Sequence, residues 1–219
     1  MLYLLDASVL ITANGLYYPI DRVPEYWEWL AYMGSQGHVK MPFEIFEEVK
    51  DGPVDAEKDL LYAWLREDAN KKALLLDESV DLGLVQKVIA EGYAADLSDD
   101  EIEQIGRDPF VIAYGLADTG RCVVTVEASR PKTQRQNRKI PDVCGAMGVN
   151  CCNPFAFTRD LGFRTQWKMD VKSQRVTRGA AATAHRPESH AAIGSIRFTC
   201  ARLAAYARTA RMSSRSKSA

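Results

Sequence analysis

"MLYLLDASVLITANG", residues 1–15, is an apolar run broken at its sixth position by an aspartate. The segment "LYLL" reads as a short buried strand, and the stretch from Ser8 to Asn14 as the opening of a helix. Asp6 therefore stands where the strand ends. In an open parallel α/β sheet, ligands bind beyond the carboxyl ends of the strands, so this carboxylate belongs at the rim of a sheet rather than in its interior. Capping of the following helix, with the carboxylate accepting a free backbone N–H, is the other reading of the same residue.

Outward from this segment the chain alternates in the same way. "HVKM", "ALLL" and "CVVTV" read as strands. "PEYWEWLAYM", "PFEIFEEVKDG", "AEKDLLYAWLRED", "VDLGLVQKVIAEGY" and "DPFVIAYGLAD" read as helices, several with proline at the first position. Strands alternating with helices predict an α/β fold with a mainly parallel sheet covered on both faces.

Composition bounds the rest. Of the 219 residues, 47% are hydrophobic and 26% charged, as in ordinary globular proteins. The amino terminus lacks the basic leader of a secretory signal, and no apolar run approaches the roughly 18 residues of a membrane span, so a cytoplasmic protein without membrane contact is expected. Five cysteines, with no C-x-x-C spacing, give neither a disulfide framework nor a zinc site; the neighbours Cys151 and Cys152 read as small packing residues. The net charge of −1 conceals a division: residues 164–219 carry 12 Lys and Arg against two Asp and Glu, which leaves 16 against 27 for residues 1–163. We therefore expect a folded domain over 1–163 and, over 164–219, a basic Ala/Arg/Ser-rich tail that is disordered or poorly ordered. Such a tail adds phosphate affinity, or marks a reading frame that runs past its natural end.

Acidic residues recur at places comparable to Asp6. Asp108 precedes "PFVIAYGLA", Glu127 follows "CVVTV", and Glu47 and Glu48 lie on the helix after "HVKM". Each has a bland explanation: Asp108 before Pro109 is a good helix cap, Glu127 a loop residue, the Glu pair a solvated helix face. At about 100° per residue Glu47 and Glu48 flank the apolar arc of their helix at similar offsets, and periodicity does not choose between them. Carboxylates gathered at one rim repel each other unless cations are bound there. All-oxygen ligands select hard ions, Mg²⁺ or Mn²⁺, and such ions activate water against a phosphodiester. A nucleophilic triad has only His38 to draw on before the tail, and no glycine-rich nucleotide-binding fingerprint is present. A phosphatase of the haloacid-dehalogenase type wants a second Asp where Ser8 stands.

"YLLDASVLI", with "MPFEIFEEVKDG", "DPFVIAYGLA" and "VVTVE" in that order, resembles the PIN-domain nucleases, including VapC-like toxins of bacterial toxin–antitoxin pairs. "KIPDVCGAMGVNC" is similar to a PIN-like branch of small bacterial proteins catalogued as a domain of unknown function. The resemblance runs from about residue 2 to residue 163. It implies a PIN-like three-layer fold and a divalent-metal-dependent endoribonuclease. Carried over position by position, it makes Asp6, Glu48, Asp108 and Glu127 the catalytic ligands of Mg²⁺ or Mn²⁺, and it selects Glu48 over Glu47 because a glutamate directly precedes an aliphatic residue there. Glu127 stands where many relatives have Asp, and its longer reach allows it to act through a water. Ser8 becomes a neighbouring hydroxyl that orients Asp6 or a bound water, and Asp142 either steadies a ligand from behind or caps its own helix. RNA is the implied substrate, with "SRPKTQRQNRK" either contacting its backbone or forming a solvated, flexible loop. A protein antitoxin or a homodimer partner is implied as well, with "PEYWEWLAYM" as a docking surface or as core packing. A catalytically silent PIN-like module that binds RNA or protein is the alternative.

Overall fold

The structure is a computed structural model that describes residues 1–50 and 60–171. The tail beyond residue 171 and the segment 51–59 lie outside the described residues, and with them most of the predicted basic tail and the start of the predicted helix "AEKDLLYAWLRED".

In chain order the elements are β1 (Leu2–Leu5), α1 (Ala7–Thr12) continuing into a π-helical turn (Ala13–Tyr17), α2 (Pro24–Ser35), β2 (Val39–Lys40), α3 (Phe43–Lys50), α4 (Leu60–Arg66), α5 (Asp68–Leu74), α6 (Leu82–Lys87) running into a second π-helical segment (Val88–Tyr93), α7 (Asp99–Ile105), α8 (Asp108–Leu116), β3 (Arg121–Val124), a 3₁₀ turn (Arg135–Asn137), α9 (Ile140–Met147), β4 (Asn150–Cys152) and α10 (Pro154–Asp160). The four strands form one all-parallel sheet in the order β2-β1-β3-β4. Leu4, Leu5, Val123 and Val124 are all buried. Successive strand residues face opposite sides, so helices cover both faces of the sheet, as a parallel sheet requires.

The predicted strand "ALLL" is reduced to one bridge. Ala73 and Leu74 finish α5, and only Leu75 pairs, in parallel with Met41. The fourth strand is instead Asn150–Cys152, on the other edge. The aromatics of α2 are core: Tyr26, Trp27 and Trp29 are buried, Tyr26 stacks on Tyr18 at 4.3 Å between ring centroids, and the Trp27 indole donates to the Tyr18 carbonyl at 2.6 Å. These three side chains therefore offer no docking surface. Trp167, inside the stretch whose composition marks it as tail, is buried too; it stacks on Tyr32 and donates its indole N–H to the Glu25 carbonyl at 3.0 Å.

α8 packs on β1 and β3, and this contact sets the site. Gly115 makes it close: a Cβ there would stand 2.7 Å from Val149 Cγ1 and 3.0 Å from Val123 Cγ2. The helix so held starts with Asp108 at the end of the sheet where β1 and β3 finish.

Candidate metal centre

β1 and β3 are neighbours in register, Leu5 beside Val124, so the next rung places Asp6 beside Thr125. The Asp6 N–H donates to the Val124 carbonyl at 3.0 Å, fixing the backbone at the rim. Asp6 is buried, at 5% exposure, and forms no side-chain cap on α1. Its Oδ2 accepts instead from the Thr125 hydroxyl at 2.9 Å and from the Ser8 hydroxyl in a short hydrogen bond. Of the two partners that the resemblance implies for Ser8, Asp6 or a bound water, the hydroxyl bonds Asp6. Thr125 escaped sequence reading because a threonine inside "CVVTV" looks like a β-branched strand residue; its register opposite Asp6 was the only signal.

Asp108 is the first residue of α8, one position past the N-cap Arg107, and caps nothing. Burial pushes its carboxyl up to about 8, and the charges of Asp6, Glu127 and Glu48 add to the rise while Lys139 opposes it. Burial also raises Asp6; its two hydroxyl donors counter the rise and the Glu127 charge adds to it. Glu48 is exposed as a residue, yet its carboxyl is raised by partial desolvation first and by Asp6 second, with Arg107 opposing. Its partners in this exchange, Asp6 and Asp108, associate Glu48 with the site, and Glu47 figures in none of these shifts. Four carboxylates from four separate parts of the chain thus share one electrostatic neighbourhood.

Glu127 is placed differently from the other three. Its Oε1 accepts from the Lys139 ammonium at 2.7 Å and its Oε2 from the Ile140 backbone N–H at 2.8 Å, one of the orphan amides at the start of α9. Both oxygens are occupied. Asp142 neither caps α9 nor joins the carboxylates. It accepts from the Ser129 hydroxyl at 2.5 Å and the Arg130 N–H at 2.7 Å, bonds that tie down the loop after β3 and lower its pKa, the Ser129 bond most.

A hard divalent cation suits this donor set, since every donor is an oxygen and the anions disfavour each other while bare. The cluster is nevertheless uncollapsed: among the described residues, no three His, Cys, Asp or Glu side chains stand close enough together to hold a metal ion. Asp6, Asp108 and Glu48 supply oxygen donors of the right chemistry, though the three do not stand together at ligating distance. Glu127 fits only through a water or after releasing Lys139.

Beside the cluster lies a groove of about 870 Å³, lined by Glu101 and Gln104 of α7 and by the loop from Arg130 to Lys139. Lys139 belongs to both, lining the groove and pairing with Glu127. The loop is tethered at several points, unlike a freely solvated one. Arg135 pairs with Glu101 at 2.7 Å and Asp96 at 2.8 Å, and Arg138 donates to the Gly92 and Asp142 carbonyls. These bonds hold Arg135 at φ 55°, a left-handed conformation that is strained for a residue with a side chain. Arg130 and Lys132 are exposed, and among the described residues neither side chain is ion-paired.

The family description "Domain of unknown function (DUF4411)" matches residues 3–165. The chain belongs to the DUF4411 family. The DUF4411 match takes in every residue of the carboxylate cluster and of the groove. Comparison with curated proteins finds no match. Among the described residues, no helix is long and apolar enough to cross a membrane.

Proposed function

We propose that this protein is a PIN-like, divalent-metal-dependent endoribonuclease, acting as the toxin of a bacterial toxin–antitoxin pair. One observation carries the reading: Asp108, its carboxyl raised to about 8, lies under the combined charge of Asp6, Glu127 and Glu48 at the carboxyl end of a parallel sheet. Crowding of mutually repelling carboxylates, Asp6 buried and Asp108 and Glu127 half-buried, costs stability unless a cation offsets it. Mg²⁺ or Mn²⁺ held there supplies water activation and charge neutralisation for phosphodiester hydrolysis.

In this reading Asp6, Asp108 and Glu48 hold the ion. Ser8 and Thr125 occupy one oxygen of Asp6 and so fix the direction in which the other points. Arg130 and Lys132 take RNA phosphates along the groove, positioning the strand without reading its sequence. Glu127 sets Lys139 at the junction of groove and cluster.

The test is cleavage of a panel of structured RNAs by the full chain with Mg²⁺, with Mn²⁺ and with chelator, beside Asp6→Asn. Metal-dependent cleavage absent from the variant is the expected result. Equal cleavage by both proteins overturns the nuclease reading.

The occupied oxygens of Glu127 favour a second reading, a catalytically silent module that keeps the groove for RNA. It predicts RNA binding that chelator does not change and no cleavage under any condition.

A further inference from the structure

The groove beside the carboxylates has an uneven lining. Its cations Arg130, Lys132 and Lys139 suit a polyanion, and its one acidic residue, Glu101, is already paired with Arg135. The rest of its polar wall is mostly amide: Gln134, Gln136 and Asn137 from the loop, with Gln104 from α7. Among the described residues, no aromatic side chain lines it. Proteins that hold single strands without sequence preference combine cations with aromatic platforms on which bases stack. This groove has the cations; in place of the platforms it has uncharged groups, each offering both donors and an acceptor.

The loop is built to present those amides. Among the described residues, Arg135 is the only one other than glycine with a positive φ, and it sits between Gln134 and Gln136. Strain of this kind gathers at ligand clamps. The surrounding turns are closed by backbone bonds, Thr133 N–H to the Arg130 carbonyl at 2.9 Å and Asn137 N–H to the Gln134 carbonyl at 3.1 Å. Gln134 and Asn137 are exposed and Gln136 is half-buried, so their side chains are left to the groove. A lysine on its flexible stem finds a phosphate from many backbone positions. An amide that meets two atoms of one base edge at once depends on a fixed backbone, which this loop supplies.

We infer that Gln134, Gln136 and Asn137 are specificity-determining residues that hydrogen-bond base edges of a single RNA strand in the groove, with adenine preferred. A side-chain amide sets a donor beside an acceptor, which matches the N7 acceptor and N6 amino donor of adenine. The same edge of guanine offers two acceptors, and that of a pyrimidine offers one polar group. Unpaired bases leave such edges free to a protein. This rests on the reading of the groove as an RNA site, and it holds with or without a cation at the carboxylates.

The test is fluorescence anisotropy with the full chain in chelator, which keeps the strand intact under either reading above. The probes are short uridine oligonucleotides carrying two central adenines, two central cytosines, two central guanines or none. The wild-type chain is expected to bind the adenine probe about fivefold or more tighter than the uridine-only probe, the lower end for one bidentate amide–base contact. At least one of Gln134→Ala, Gln136→Ala and Asn137→Ala should bring that ratio close to one and leave affinity for the uridine-only probe unchanged. Arg130→Ala, by contrast, should weaken all four probes alike and keep the ratio. Equal wild-type affinity for the four probes, a preference for cytosine or guanine, or a ratio that none of the three amide substitutions changes overturns the inference and leaves the groove as an RNA site. Amide variants that lose affinity for every probe equally also overturn it, since the amides then serve general binding. Absence of binding to any probe overturns the RNA reading of the groove and the inference with it, so the two failures are distinguishable.

Discussion

The Asp6–Thr125 hydrogen bond joins the ends of two neighbouring strands across 119 positions of sequence. Thr125→Val keeps the shape and removes the donor, so the chain should lose about 1.5–3 kcal/mol in urea unfolding, the range for a hydrogen bond to a charged group. Asp108 carries a pH signature. Unfolded carboxyls of this kind titrate near 3.9, and the fold raises this one to about 8, so the native chain holds the proton more tightly. Its contribution to stability is whole below about pH 4 and is lost as pH rises through about 8. Calorimetry of the metal-free protein should show a midpoint that declines across that window, and Asp108→Asn should flatten the decline. Metal affinity should run the opposite way, rising with pH as the proton leaves. Asp6 and Asp108 were legible in the sequence because a carboxylate beside an aliphatic run is conspicuous. Thr125 was not, because it looks like a core strand residue and only its partner Asp6 gives it a different task.

At the scale of elements, α8 depends on one close contact. Gly115→Ala drives a methyl group into Val149 and Val123, and overpacking of this kind costs about 1–3 kcal/mol; chemical denaturation should record it together with weaker Mn²⁺ binding as Asp108 is displaced. β1, β3 and α8 could be read directly, since each is a run of aliphatics with a clear stop. β4 was hidden: "NCC" offers neither a β-branched run nor alternation, and pairing with β3 decides it. "ALLL" failed for the opposite reason, because strongly apolar residues that also suit a helix were claimed by α5. α7 carried a signal that went unread, the capping box between Ser98 and Glu101.

For the molecule as a whole, the groove is the feature to test. Arg130→Ala and Lys132→Ala should weaken RNA binding about equally across sequences. Each should lower the slope of log affinity against log salt by roughly 0.7, the value for one phosphate contact on a single strand. A filter-binding series at several salt concentrations measures it. The charge division of the sequence puts the basic excess in residues 164–219, whereas the exposed cations of the loop stand on a body that is otherwise acidic.

The sheet order puts β1, made first, between β2 and β3, with the pocket's side chains drawn from positions 6, 48, 108 and 127. No amino-terminal fragment shorter than 127 residues contains the whole constellation. During synthesis the growing polypeptide lacks this set of carboxylates until Glu127, past the midpoint of the 219 residues, has left the ribosome, so shorter nascent chains cannot assemble it.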